Sequence, residues 1–516
     1  MKNVLEYLEI TATKYPQHGI FEDTQFLSYQ QLFNQSKRLG TALAKEAPPK
    51  SPIPIFMEKG ISCLMSFLGS VSAGCFYVLL NPSLPKTRLE QIWAVLKTNL
   101  ILTDRCHQEL LESYFPEAHI VLLEELLQVT IEQELLDSIR QQALDVDPLY
   151  ANFTSGSTGI PKGVVVSHRS TIDFIDRFVT NFQIEAEDRI GNQAPFDFDV
   201  SVKDLYSALK TGASLVIIPK SLFSQPAPLL DYIIKQQVTT LIWAVSALCL
   251  ITTFHGLDYK VPTKVRKVLF SGEEMPMKHL KEWMFHLPEA MFVNLYGPTE
   301  ITCNCTYHII SLQDLELEKL PIGKAFDNEE VFLLDTENQR ITVPHQIGEL
   351  CVRGTALALG YYNAFAQTEQ QFVQNPCHHH YRDPIYKTGD LAYFDERGLL
   401  YFSGRKDFQI KYMGHRIELE EIERFLTAFD EVKRSCCVFD EQKSRLYAFY
   451  IGTLDPKELR TRLKEQLPIF MIPSKLISME IFPLTKNGKI DRKQLLASIG
   501  GRNHESRNDP TYSQSL

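Results

Sequence analysis

The chain has 516 residues, with 53 basic and 63 acidic side chains and a formal charge of −10, which argues against a nucleic-acid surface. Its 44% apolar and 22% charged residues are the composition of an ordinary soluble protein, and by length alone the chain suggests about three or four folding units. The ten cysteines include Cys303-x-Cys305 and Cys436-Cys437, which lack the second half of a zinc site, so reduced thiols in a cytoplasmic protein without a signal peptide are expected.

In chain order, the first notable segment is residues 61–80, which carry no charge and are long enough in principle to cross a bilayer. Their Ser, Gly and Cys content suits a packed interior better than lipid. The segment reads as a buried helix turning at Ser72-Ala-Gly-Cys75 into the strand Phe76-Tyr-Val-Leu-Leu80, so no membrane partner is expected. A helix follows over 170–182, where Ile172, Ile175, Phe178, Val179 and Phe182 recur at helical spacing. Strands follow at Leu215-Val-Ile-Ile-Pro219, Val265-Arg-Lys-Val-Leu-Phe270 and Met291-Phe-Val-Asn-Leu295. Strands alternating with helices predict an α/β fold with parallel sheets flanked by helices. His378-His379-His380 sits among Pro, Asn and Cys and reads as an exposed turn. A strand, Gly398-Leu-Leu-Tyr-Phe-Ser403, ends at Gly404-Arg405-Lys406-Asp407, and a new unit begins with Phe408-Gln-Ile-Lys-Tyr412 and a helix over 418–429. The expected organisation is a core over 1–404, a junction at 405–407, a small unit over 408–499 and a disordered tail over 500–516.

Several strings can carry chemistry. Thr154-Ser155-Gly156-Ser157-Thr158-Gly159 leads to Lys162. So little side-chain bulk lets backbone N–H groups and hydroxyls approach a polyphosphate, with the lysine as a point charge. Gly163 follows Lys162 where the P-loop of nucleoside triphosphatases needs Ser or Thr; alone, such a loop also reads as a solvated turn. In Tyr296-Gly297-Pro298-Thr299-Glu300 a turn projects a hydroxyl that can donate to phosphate and a carboxylate that can hold Mg²⁺. Gly272 in Phe270-Ser-Gly-Glu-Glu274 permits close approach to a flat ring. Asp390 ends Tyr386-Lys-Thr-Gly-Asp390, either as a cap or as an acceptor for a ribose diol. Asp199 in Phe198-Asp199-Val200-Ser201 is either an N-cap or an acid for a bound cation. Pro483-Leu-Thr-Lys-Asn-Gly-Lys-Ile-Asp-Arg-Lys493 is on its face a solvated basic run.

Together these strings resemble the adenylate-forming superfamily of acyl-CoA synthetases, luciferases and amino-acid adenylation domains, over essentially the whole chain except its tail. The resemblance implies a large N-terminal domain of mixed and parallel sheets, with a small β subdomain, and a small mobile α+β C-terminal domain that rotates about Asp407. It implies an ATP site in which the 154–159 loop and Lys162 hold phosphates and Thr299 and Glu300 bind ATP and its Mg²⁺. Tyr296 would stack on the base, with Gly272, Glu273, Asn294 and Gly297 around it. Asp390, helped by Arg405, would take the ribose hydroxyls, Arg416 would contact phosphate, and Gly414 would line a pantetheine tunnel. Lys489 would bridge the substrate carboxylate and the α-phosphate, offsetting the repulsion of two anions.

The Phe-Asp-x-Ser string resembles the amino-acid-activating branch, whose aspartate pairs with the substrate's α-ammonium. Transferring that branch's pocket positions gives Asp199, Val200, Lys203, Trp243 and Leu269, then Ser271, Leu295, Cys303, Asn304 and Lys489. Trp243 and Leu295 would narrow the pocket. Ser271 and Asn304 would bond a short polar side chain, favouring serine, cysteine or alanine. Lys203 would point to solvent or meet an acidic substrate. The expected function is ATP-dependent activation of a small amino acid to aminoacyl-AMP and its transfer as a thioester to the phosphopantetheine of a separate carrier protein, as no condensation or carrier domain is recognised. D-alanine:D-alanyl carrier protein ligases resemble the chain at Asp199-Val-Ser-Val-Lys-Asp-Leu-Tyr206 but usually carry cysteine at the position of Ser271. The alternatives are such a D-alanine ligase, an acyl- or aryl-CoA ligase, and a catalytically silent nucleotide-binding partner.

Overall fold

The computed structural model describes residues 1–156, 160–441, 443–485 and 490–505, and side chains as far as 499. The chain forms two compact units. The first comprises Met1–Ser83, Leu89–Thr154 and Lys162–Asp407; the second comprises Leu84–Arg88, Ser155–Pro161 and the chain from Phe408 on. The expected 1–404 core is therefore corrected, because the short segments 84–88 and 155–161 group with the second unit. Hydrogen bonds within that unit account for this: Arg88 Nη1 donates to Glu421 Oε1 at 2.8 Å, Ser155 Oγ donates to the Arg416 carbonyl at 2.7 Å, and Arg424 Nη2 donates to the Gly156 carbonyl at 3.2 Å.

Among the described residues, the first unit holds a nine-stranded, a seven-stranded and a five-stranded sheet. The nine-stranded sheet carries the predicted strands as Ser214–Ile217, Lys267–Ser271 and Met291–Tyr296, with Arg189–Asn192 and Thr240–Ala244 among them. These five strands pair in parallel, and helices connect them, as βαβ topology requires. Because strand side chains alternate, one face buries Ile242, Leu269, Val293 and Leu295 with helix Val200–Thr211. The other face buries Leu241, Trp243, Val268, Phe270 and Phe292 in a separate core. The five-stranded sheet, over 329–405, is the small β subdomain. In the seven-stranded sheet, Pro148–Thr154 and Lys162–Ser167 pair antiparallel and bring Thr154 opposite Lys162.

The uncharged 61–80 segment is the helix Ile61–Ser72 followed by the strand Phe76–Leu79, both buried. Among the described residues no helix is long and apolar enough to cross a membrane. The serines are accommodated because Ser66, Ser70 and Ser72 donate back to the carbonyls of Ser62, Ser66 and Leu68. The glycines are there for contact with helix Tyr29–Glu46. A Cβ on Gly69 would lie 2.4 Å from Leu39 Cβ, and one on Gly40 would lie 2.4 Å from Ser72 Cβ.

In the second unit, the hairpin Gln409–Tyr412/His415–Glu418 turns through Met413 (φ 52) and Gly414 (φ 78). Two successive positive φ values are the two-residue turn that favours glycine at its second position. A three-stranded sheet, Val432–Asp440, Arg445–Gly452 and Lys475–Ser478, packs with helix Leu419–Thr427. The expected disordered tail is corrected at its start, since helix Arg492–Glu505 runs through residue 500. The ten cysteines are all free thiols. His378 pairs with Asp383 at 3.0 Å and packs on Tyr381, while His379 and His380 are exposed.

Gly69→Ala should cost about 1–3 kcal/mol by overpacking, read as a lower midpoint in thermal unfolding. An unchanged midpoint would mean that the two helices stand further apart than the structure has them.

Candidate active site

The parallel strands end along one edge of the nine-stranded sheet, and the sequence motifs lie just beyond those ends, where open α/β sheets bind ligands. Arg189–Asn192 leads to Asp199, Lys267–Ser271 to Gly272 and Glu273, and Met291–Tyr296 to Gly297, Thr299 and Glu300. Gly272 has φ 96, as its turn requires. At Gly297 a Cβ would lie 2.4 Å from Asn304 Cα, so only glycine lets the two backbones approach.

Asp199 occupies the N-cap position of Val200–Thr211, yet its side chain makes no capping hydrogen bond. The capping alternative therefore does not account for it. Asp197 is a different case: it accepts from Asn81 Nδ2 at 3.2 Å. Asp199 and Val200 are half-buried, and the Cys303 thiol donates to the Asp199 carbonyl at 3.0 Å.

Lys203 lies one turn along the same helix and is 0% exposed. Its Nζ donates to Asn304 Oδ1 at 2.7 Å and Ser271 Oγ at 3.2 Å. The solvent-facing alternative for Lys203 is corrected, and Ser271 and Asn304 are already engaged by its ammonium. Burial lowers the Lys203 pKa, while Cys303, Asp199 and Asp204 act in the opposite direction. Next to it, Asp204 accepts from Asn192 Nδ2 at 2.6 Å, and burial pushes its carboxyl up to about 7.

Trp243 requires a further correction. It pairs in register with Phe270, on the sheet face away from Leu269 and Leu295, and its Nε1 donates to the Gly191 carbonyl at 2.7 Å. The residue opposite Ser271 is Ala244, so the pocket face carries a methyl where an indole was expected. Asn304 reaches Lys203 from a constrained loop, in which Thr302 (φ 54) and Cys303 (φ 75) both sit in the left-handed region. Such strain persists only where surrounding bonds hold it; Thr302 Oγ1 donates to the Ala356 carbonyl at 2.7 Å.

Glu300 is 1% exposed. Tyr361 Oη donates to its Oε1 at 2.8 Å, and the Ala358 N–H donates to its carbonyl at 2.9 Å. Lys162 Nζ lies 5.5 Å from the centre of the Tyr361 ring. A carboxylate so fixed is the hard oxygen donor that a magnesium ion takes, so the residues present fit that ion. Asp390, also 1% exposed, accepts from Tyr296 Oη and from Arg405 Nη1. The same guanidinium reaches Asp407 with Nε at 2.7 Å and Nη2 at 2.9 Å. Tyr296, expected to offer its ring to a base, is 6% exposed, packed among Ile301, Leu350 and Tyr386, and tied to Asp390. Asn294 Nδ2 donates to the Pro321 carbonyl at 2.8 Å.

Residues 8–362 match the AMP-binding enzyme family. The chain belongs to that family. It is 31% identical over 515 residues to the D-alanine–D-alanyl carrier protein ligase of Listeria monocytogenes serovar 1/2a, covering 96% of this chain and 99% of that one. It is 30% identical over 501 residues to tyrocidine synthase 1 of Brevibacillus parabrevis, covering 96% of this chain but 45% of the synthase. The chain thus spans less than half of that larger relative. Among solved structures, holo-PA1221, an NRPS protein containing adenylation and PCP domains, superposes with a TM-score of 0.81 at 25% identity, over 96% of this chain and 84% of that one.

Within the AMP-binding enzyme, the first unit brings together Asp199, Lys203, Ser271, Cys303 and Asn304 in one cluster, and Tyr296, Asp390, Arg405 and Asp407 in another. Arg416, in the second unit, donates from Nε to Gln409 Oε1 at 2.6 Å. Ser157, Thr158, Gly159 and Lys489 lie outside the described residues. The described flanks of Lys489 pair, Leu484 with Ile490. Tyr361 was missed from the sequence, where a tyrosine after Gly360 looks like any core aromatic; its short strand, Gly360–Tyr361, pairs with Lys162–Ser167.

Asp390→Asn keeps the shape but removes the charge that Arg405 faces. Since hydrogen bonds to charged groups contribute about 1.5–3 kcal/mol, AMP affinity by calorimetry should fall about tenfold or more. Unchanged affinity would remove Asp390 from the nucleotide site.

Proposed function

We propose that this enzyme activates an amino acid with ATP, giving aminoacyl-AMP and pyrophosphate, and then transfers the aminoacyl group to the phosphopantetheine thiol of a carrier protein supplied in trans. The observation that carries this reading is Asp199: an acid at a helix start that makes no capping bond, beside a buried lysine. Such an acid suits an α-ammonium held out of bulk water. The whole-length similarity to a D-alanyl carrier protein ligase supports transfer to a carrier and favours D-alanine as the second reading. Ser271, where those ligases usually carry cysteine, speaks against it.

In this scheme Asp199 holds the ammonium and leaves the substrate's α-carboxylate to attack the α-phosphorus of ATP, with pyrophosphate leaving. Lys489 is assigned to the two anions, whose repulsion its charge would offset as negative charge shifts to the leaving group. Lys162 and the 154–159 loop hold the β- and γ-phosphates, Thr299 donates to phosphate, and Asp390 with Arg405 fixes the ribose. Glu300, oriented by Tyr361, would hold magnesium, which would supply charge neutralisation on the phosphates. In the second step the thiol attacks the acyl carbon and AMP leaves. Asp407 and Gly414 are assigned to the rotation and the pantetheine path that serve this step.

Lys489→Ala should abolish amino-acid-dependent pyrophosphate exchange, yet leave thioester formation from supplied aminoacyl-AMP largely intact. Equal loss of both would contradict a two-step scheme with separate machinery. Asp199→Ala should lower exchange at least about a hundredfold while ATP binding persists; unchanged exchange would move the assignment to an acyl- or aryl-CoA ligase.

A further inference from the structure

We propose that the pocket selects an amino acid whose side chain ends in a carboxylate, with Lys203 as the group that pairs with it. The inference rests on the amino-acid-activating reading above and names its substrate class.

Lys203 is 0% exposed, and its Nζ has two acceptors among the described residues, Asn304 Oδ1 at 2.7 Å and Ser271 Oγ at 3.2 Å. An ammonium has three donors, and two of them are engaged by these described residues. Two neutral acceptors compensate only part of the cost of burying a charge; an anion compensates more. The nearby acids do not meet that need. Asp204 is bonded to Asn192 and its carboxyl titrates near neutrality, pushed up to about 7 by burial. Asp199 is committed to the substrate's ammonium. A bound amino acid with a neutral side chain would leave Lys203 with Asp199, shared with the substrate's ammonium, and the near-neutral Asp204 as its nearby acids.

The spacing fits a dicarboxylic amino acid. Asp199 and Lys203 are four residues apart at the start of one helix, which puts their Cβ atoms about 5–6 Å apart on one face. A substrate with an ammonium and a side-chain carboxylate a few carbons apart meets both charges at once. Its α-carboxylate is then the one left for adenylation. Leu269 and Leu295 are buried on the same sheet face, and Ala244 stands opposite Ser271 where Trp243 was expected. Polar selection of this kind rejects the uncharged isostere far more strongly than an apolar wall rejects a methylene.

The test is amino-acid-dependent pyrophosphate exchange by the full chain with both stereoisomers of aspartate, glutamate, asparagine, glutamine, alanine and serine. Aspartate or glutamate should exceed its amide by about a hundredfold or more in kcat/KM. Lys203→Met should erase that preference chiefly through KM, with ATP-induced thermal stabilisation as the check on folding, and Lys203→Arg should restore part of it. Alanine or serine activated in preference to the acids would overturn the proposal while leaving amino-acid activation standing. Activation of only fatty or aryl acids would overturn both. An acid preference that survives in Lys203→Met, or in Lys203→Gln should the methionine variant not fold, would remove Lys203 from the selection.

Discussion

The site depends on a constraint set by strand direction. Because Arg189–Asn192, Thr240–Ala244, Lys267–Ser271 and Met291–Tyr296 run parallel and adjacent, their carboxyl ends open at one edge. Motifs about a hundred residues apart in sequence therefore converge without any long loop having to find its place. Reversing one of these strands would carry its motif to the far edge of the sheet. Register matters as much as direction. Ala244 pairs with Ser271, and Leu269 pairs with Val293, so the residues that face the helix from Val200 to Thr211 are fixed by period-two alternation and not by side-chain preference.

At that edge the cluster around Lys203 sets a problem in electrostatics. A buried ammonium, a carboxyl titrating near neutrality and a half-buried aspartate lie within the first two turns of one helix. Left alone, such an arrangement is weak evidence for stability, because desolvation can exceed the Coulombic gain. The loop that presents Asn304 to it is itself strained at Thr302 and Cys303. Strain and a costly buried charge together are characteristic of a site maintained for binding.

What could be read from sequence divides along the same lines. The strands and the buried turn after Ser72 were legible, and the strings that hold Asp199, Glu300 and Asp390 stood out, because periodicity and short strings are local properties. Trp243 was misassigned because a count of pocket positions cannot tell which face of a strand a residue takes; a one-residue error inverts the answer. Lys203 was left open because the direction of a long side chain depends on acceptors 68 and 101 residues away. Tyr361 carried no local mark at all. The grouping of residues 155–161 with the second unit follows from long-range hydrogen bonds, which neither composition nor spacing encodes.

Arg405 shows why the motif-by-motif reading was incomplete. Its guanidinium donates to Asp390 with Nη1 and to Asp407 with Nε and Nη2, and Asp390 in turn accepts from Tyr296. Gly389 makes this possible, since a Cβ there would lie 2.8 Å from Arg405 Nη2. Three separate strings, one ending a strand of the nine-stranded sheet and two in the β subdomain, thus become one chain of hydrogen bonds. That chain ends at the last residue of the first unit. A planar fork of fixed donors can hold two carboxylates at once, which a lysine ammonium cannot do with the same geometry. Any ligand that draws on the lone pairs of Asp390 therefore alters Arg405, the donor that Asp390 shares with Asp407. The acid expected to serve only the ribose is mechanically joined to the residue at which the first unit stops.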